Sequence, residues 1–132
     1  RFPLILQNFH RYTWYLAVVL IVLLTWDALL AFRFPAPGGG LRFGVGVGTI
    51  VMWINVVLLA AYTFSCHSCR HLCGGHVDVF SKAPGRYRVW HFISRLNETH
   101  PTYAWLSLFS VGLADLYIRL VSMGIIRDLR IF

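Results

Sequence analysis

The chain is poor in charged residues. Only 13% of its 132 residues are charged, and Asp and Glu together number five. A soluble domain usually has about a quarter of its residues charged, and the mean hydropathy here is +0.64. The apolar residues stand in blocks rather than at regular intervals, so lipid is the expected solvent for most of the chain. These features exclude an ordinary soluble globular domain.

Cysteine is scarce and unevenly placed, because all three cysteines lie between Cys66 and Cys73. An odd number of cysteines this close together does not form the disulfide framework of a secreted protein. Ligation in a reducing compartment is the better interpretation. The first apolar block is long and has no small-residue cleavage site, so no secretory signal is predicted. Because the chain opens on Arg1 rather than Met, we expect a trimmed product or part of a longer chain.

The net charge of +7 does not indicate a nucleic-acid partner. The basic residues cluster in short segments that flank the apolar blocks, which is the pattern of a membrane protein. Three apolar blocks, at about 14–32, 46–64 and 103–126, approach the roughly 20 residues that cross a bilayer as a helix. We therefore predict an all-α integral membrane protein in which residues 1–132 form a single membrane domain. Residues 65–102 form the long link between the second and third spans.

The distribution of basic residues predicts how the protein lies in the membrane. The N-terminus and the long link share one side, with seven basic residues: Arg1, Arg11, Arg70, Lys82, Arg86, Arg88 and Arg95. The first link and the tail share the other side, with four: Arg33, Arg42, Arg127 and Arg130. By the positive-inside rule the long link is cytoplasmic. The expected location is the plasma membrane of a bacterium.

The segment from Cys66 to His76 contains six soft or borderline metal ligands. Cys69 and His71 form a C-x-H pair, and Cys73 and His76 form a C-x-x-H pair. A Rieske centre holds one iron with two thiolates and the other with two imidazoles, and its half-motifs have these spacings. The predicted ligands are therefore Cys69, His71, Cys73 and His76. One residue, Leu72, separates the two halves, whereas Rieske domains separate them by a longer stretch.

A helix through the same segment predicts a different grouping. At about 100° per residue, Cys66, Cys69, Cys73 and His76 share one face and His67 shares the other with His71. Cys66 or His67 could then replace a ligand of the first set, and Gly74-Gly75 would end the helix. Structural zinc remains an alternative, because C-x2-C and C-x2-H are also zinc spacings. Haem b bound through His67 or His71 is a second alternative. The simplest alternative has no metal: the cysteines are packing residues and the histidines lie at the membrane interface.

The segment from Cys66 to His76, together with Trp90-His91-Phe92, resembles the membrane anchor of actinobacterial succinate dehydrogenases of the haem-lacking kind. The resemblance implies a Rieske-type [2Fe-2S] cluster within the membrane subunit. It also implies electron flow from a flavoprotein subunit through an iron–sulfur subunit to this anchor and on to menaquinone or ubiquinone. A second membrane subunit is a further possible partner.

Basic and aromatic residues alternate between Arg86 and Phe92, which suits an interfacial helix or a docking surface. A quinone needs hydrogen-bond donors and an apolar slot, and Tyr87, Arg88, Trp90 and His91 offer both, with Tyr103 nearby. An aromatic belt at the membrane interface explains the Tyr and Trp residues equally well. In the third span, Asp115 and Arg119 are placed i, i+4 and should lie one turn apart as an ion pair.

Overall fold

The structure, a computed structural model, describes residues 4–36, 38–75 and 77–132. It is mostly helical. The elements in chain order are α1 Leu4–Leu30, β1 Arg33–Pro35, β2 Leu41–Phe43, α2 Val47–Phe64, α3 His67–Gly74, a short 3-10 turn Phe80–Lys82, α4 Pro84–Glu98 and α5 His100–Ser122.

Three of the helices are long and apolar enough to cross a membrane: Asn8–Leu30 within α1, Val47–Phe64, and His100–Ser122. The predicted all-α membrane fold with three spans is therefore confirmed. The third helix is displaced from the predicted 103–126. It begins earlier because Pro101 fits the first turn of a helix. It ends earlier because Gly124 adopts a positive φ of 73°, which a helix cannot continue through.

Helix α2 lies between α1 and α5 and packs against both. The buried residues of these three helices include small or short ones, among them Ala28, Thr49, Val56 and Ala114. Small residues let transmembrane helices approach closely. The large apolar side chains of α1 and α5 mostly remain exposed. This is the surface expected of spans that face lipid or other helices rather than a water-excluded core.

The first link, between α1 and α2, contains a short hairpin, in which β1 pairs antiparallel with β2. Gly39 and Gly40 provide the positive φ values of its turn. The tail returns to the same end of the bundle, where the backbone N–H of Val45 donates to the carbonyl of Phe132 at 3.1 Å. The sequence pattern gave no signal for this contact between the tail and the start of α2.

At the other end of the bundle, α3 and α4 of the long link pack against each other. Helix α3 also contacts α1 and α2. The predicted ion pair of α5 is present, with Arg119 Nε 2.8 Å from Asp115 Oδ2. It lies on an exposed face of α5 rather than in the interior of the described bundle, since both side chains are well over half exposed.

Candidate metal centre

The centre forms where the N-terminal part of α1 passes the junction of α2 and α3. His10 Nε2 lies 3.0 Å from Cys66 Sγ, and His67 Nδ1 lies 3.8 Å from the same sulfur. The potential ligand atoms of these three residues all lie within 4.8 Å of one another. The two imidazole rings stack, with centroids 4.9 Å apart. An imidazole from α1 thus converges with a thiol and an imidazole that are neighbours in sequence at the start of α3.

Helix α3, which begins at this site, carries the other two cysteines. Cys66 occupies the N-cap position, where its sulfur accepts from the backbone N–H of Ser68 at 3.5 Å. Cys69 and Cys73 follow on the helix, four residues apart, and the Cys73 thiol is near enough to raise the pKa of Cys69. Cys66 and Cys69 are buried, and Cys73 is half-buried. The segment is helical from His67 to Gly74, and α3 ends there as the glycine pair predicted. His67, which the helical grouping separated from Cys66, has its Nδ1 3.8 Å from the Cys66 sulfur.

The surroundings keep two of these ligands in their neutral forms. Burial, and then the neighbouring thiol of Cys73, raises the pKa of Cys69 from 9.0 to about 12. Packing around the ring of His67, and then the nearby imidazole of His10, lowers the pKa of His67. A neutral imidazole is ready to bind a metal, whereas the Cys69 thiol must first lose its proton.

A buried hydroxyl beside the cysteines has no partner. Ser68 is 2% exposed, and its Oγ has no hydrogen-bond partner among the described residues. Buried hydroxyls nearly always have one. An additional acceptor at this site, such as a sulfur of a bound cluster, would satisfy it. The donor set of thiols and imidazoles, together with this hydroxyl, fits a soft-ligand metal or iron–sulfur group.

The predicted ligands are only partly brought together. Cys69 and Cys73 are neighbours on α3, and both Cys73 and Cys66 are near enough to raise the pKa of Cys69. His71 is exposed and lies with Arg11 at a cavity of about 270 Å³. His76 lies outside the described residues. Both histidines remain predicted ligands.

His10 was missed by the sequence interpretation, because it stands far from the other ligands. The sequence did contain a signal that could have pointed to His10. The count of basic residues placed the N-terminus, which contains His10, on the same side of the membrane as the long link.

The predicted quinone residues lie on two faces of α4. Tyr87, Arg88 and His91 line an outer cavity of about 230 Å³ with Phe92 and Arg95. Trp90 instead faces α3, where the guanidinium of Arg70 lies 4.9 Å from its ring centroid. Tyr103 is half-buried on α5.

A third cavity, of about 150 Å³, lies directly beside the metal centre. Trp14, Tyr62 and His100 contribute to its walls, together with His10 and Cys66. His100 stacks on Tyr62 with centroids 4.9 Å apart, and its Nδ1 lies 2.8 Å from Ser65 Oγ. The sequence interpretation did not identify this cavity, because its walls come from three separate helices.

The fold and the centre define an integral membrane protein with a cluster of thiols and imidazoles at one end of its helices. The chain belongs to the family of the actinobacterial succinate dehydrogenase subunit SdhC, whose family model matches residues 1–124. It is also similar to a chain of the Mycobacterium smegmatis Sdh1 complex in the apo form, with 49% sequence identity and a TM-score of 0.86. That alignment covers 100% of this chain and 48% of the other, so the chain spans about half the length of the solved one. No curated protein sequence matches the chain.

Proposed function

We propose that this chain anchors a succinate dehydrogenase in the membrane and passes its electrons to quinone through a mixed thiolate–imidazole [2Fe-2S] cluster. The observation that carries the proposal is the convergence of His10, Cys66 and His67, with their ligand atoms within 4.8 Å. Membership of a dehydrogenase family supports a redox role for this centre. The expected partners are the flavoprotein and iron–sulfur subunits, with a second membrane subunit as a further candidate.

The geometry favours His10 and His67 as the imidazole ligands, with the thiolates drawn from Cys66, Cys69 and Cys73. His71 and His76 form the competing imidazole pair. A bound [2Fe-2S] group would supply reversible one-electron transfer at the membrane surface. The chain itself would hold two neutral imidazoles in place and surround the thiols with packed side chains. Stacked rings of His10 and His67 leave no room for a haem between them, which argues against a bis-imidazole haem at this pair.

Quinone reduction requires two electrons and two protons for each quinol formed, so the quinone must lie near both the cluster and a proton source. The outer cavity on α4 offers Tyr87, Arg88 and His91. The cavity beside the metal centre offers Tyr62 and His100 and has Cys66 in its wall. We place the quinone headgroup first in the outer cavity, at the cytoplasmic side, where donors and aromatic surface combine. Both menaquinone and ubiquinone have carbonyls that suit these donors.

The test of the proposal is the metal content and EPR spectrum of the purified, dithionite-reduced complex. About two irons per copy and a Rieske-like signal with a low average g value are expected. One zinc per copy without iron would refute the proposal and favour a structural Cys₃His or Cys₂His₂ site. The variants His91→Ala and His100→Ala then distinguish the two quinone cavities, since each removes a histidine from one of them. The variant that changes the occupied cavity should raise the quinone KM and leave the EPR signal unchanged.

A further inference from the structure

Arg86 contacts the end of the ligand-bearing helix. Its Nε donates to the carbonyl of Cys73 at 3.1 Å, and its Nη2 donates to the carbonyl of Gly75 at 2.9 Å. The last carbonyls of an α-helix have no partner within the helix, and a cation at this end is favoured by the helix dipole. Arg86 thus satisfies two backbone acceptors at the C-terminus of α3.

One turn further along α4, Trp90 packs against the same end of α3. A Cβ atom at Gly74 would overlap the Trp90 ring, so the two helices approach as closely as glycine allows. The guanidinium of Arg70, on α3, lies over the Trp90 ring, 4.9 Å from its centroid. Helix α4 therefore holds α3 through one hydrogen-bonded arginine and one packed tryptophan.

Helix α3 is only eight residues long, and helices this short are not stable in isolation. Cys73 lies in its last turn, where fraying would move the sulfur first. An arginine suits the task because its planar guanidinium places several donors in a fixed arrangement, whereas a lysine acts as a single point charge.

We infer that Arg86 is a positioning residue, which fixes the last turn of α3 and thereby the place of Cys73 in the metal centre. This inference rests on the proposed function only for its consequence at the cluster. The contact itself is a property of this chain. It also gives Arg86 an intramolecular role within the segment Arg86 to Phe92, for which the sequence indicated an interfacial helix or a docking surface.

The experiment compares Arg86→Gln, Arg86→Lys and the control Lys82→Gln in the purified complex. Lys82 is exposed, lies four positions before Arg86 and carries the same charge, so its removal controls for the loss of one cation. Hydrogen exchange is followed by mass spectrometry in peptides that contain residues 71–75, where the Gly75 N–H donates to the His71 carbonyl at 2.7 Å. Exchange about tenfold faster is expected in Arg86→Gln, a smaller increase in Arg86→Lys, and none in Lys82→Gln.

The second readout is the EPR spectrum, in which Arg86→Gln should shift or broaden the signal while Lys82→Gln should not. The inference would be overturned if Arg86→Gln lost the iron–sulfur subunit while its hydrogen exchange and EPR spectrum stayed as in the wild type. That result would show that Arg86 serves docking. If Arg86→Gln does not assemble, Arg86→Lys decides, since wild-type exchange in that variant would also overturn it. An iron-free wild-type complex would refute the proposed function, while the exchange rates would still test the contact.

Discussion

His10 and Cys66 lie in direct contact across 56 positions of sequence, with Nε2 3.0 Å from Sγ. The contact joins the first membrane span to the start of the ligand-bearing helix. It means that the candidate metal centre is not a local motif of the long link alone. The centre instead depends on the packing of α1 against the end of α2, so its assembly is coupled to the fold of the membrane helices.

The first prediction follows from this contact. His10→Ala should lower iron loading of the purified complex at least tenfold, because even groups that only support a metal ligand change metal affinity by about 10–100-fold. Iron per copy and the reduced EPR signal measure it. His91→Ala is the matched control, since His91 is an exposed histidine on α4 outside the group of converging ligand atoms. The ligand set predicted from the sequence would be supported instead if His10→Ala kept a normal iron content and a double variant, His71→Ala with His76→Ala, lost its iron.

The second prediction concerns the pH dependence of Cys69, whose pKa is raised to about 12 by burial and by the neighbouring thiol of Cys73. In metal-free protein at pH 8, iodoacetamide should alkylate Cys69 at least tenfold more slowly than the same cysteine in the denatured chain, because only the thiolate reacts. Mass spectrometry of the site gives the rates. Equal rates in the folded and denatured chains would contradict the raised pKa.

The same shift has a consequence for stability. The unfolded thiol ionises near its ordinary pKa of 9.0, while the folded one keeps its proton up to about pH 12. The contribution of Cys69 to stability is therefore complete below pH 9 and decreases as the pH rises between these values. Metal loading has the opposite trend, since binding must displace the proton and becomes more favourable as the pH increases. The midpoint of thermal unfolding and metal uptake, both measured between pH 7 and 10, should move in opposite directions.

The third prediction concerns the buried hydroxyl of Ser68, which has no hydrogen-bond partner among the residues that the structure describes. If this hydroxyl donates to a sulfur of the cluster, it stabilises the more negative, reduced state and raises the reduction potential. Ser68→Ala should then lower the midpoint potential without loss of iron, as measured by redox titration followed by EPR. Ser94→Ala is the control, because the Ser94 hydroxyl already donates to the Trp90 carbonyl at 2.7 Å. An unchanged potential in Ser68→Ala would exclude a hydrogen bond from this hydroxyl to the cluster.

Much of the fold could be predicted from the sequence because lipid imposes a simple rule. Apolar blocks of about 20 residues must be helical when no water is available to the backbone, and this rule located all three spans. A helix through residues 66–75 was one of two alternatives for the ligand segment, and Gly74-Gly75 indicated where that helix would end. What the sequence could not give were contacts between distant segments. His10 carries no local motif, the cavity lined by Trp14, Tyr62 and His100 needs three helices, and the contact of Arg86 with α3 depends on the fold of the link.

The last prediction concerns the opposite end of the bundle, where Asp128 ties the tail to α2. Its Oδ1 accepts from the backbone N–H of Gly48 at 2.8 Å and from the hydroxyl of Tyr117 at 2.7 Å. A carboxylate at the N-terminus of a helix satisfies an otherwise unpaired backbone donor and is favoured by the helix dipole. Space around it is tight, because a Cβ atom at Gly48 would lie 3.2 Å from Asp128 Oδ2.

Asp128→Ala should therefore destabilise the subunit by about 1–2 kcal/mol, and Tyr117→Phe by about 1 kcal/mol. The reduced EPR signal should be unchanged in both, since α2 alone separates this end from the metal centre by about 27 Å at 1.5 Å per residue. Thermal unfolding in detergent measures the first effect and EPR the second. Asp78→Ala, which removes an exposed negative charge from the long link, controls for the change in net charge. A wild-type unfolding temperature in Asp128→Ala would show that the other contacts of the tail, such as its backbone bonds with Val45 and Val47, hold it without Asp128.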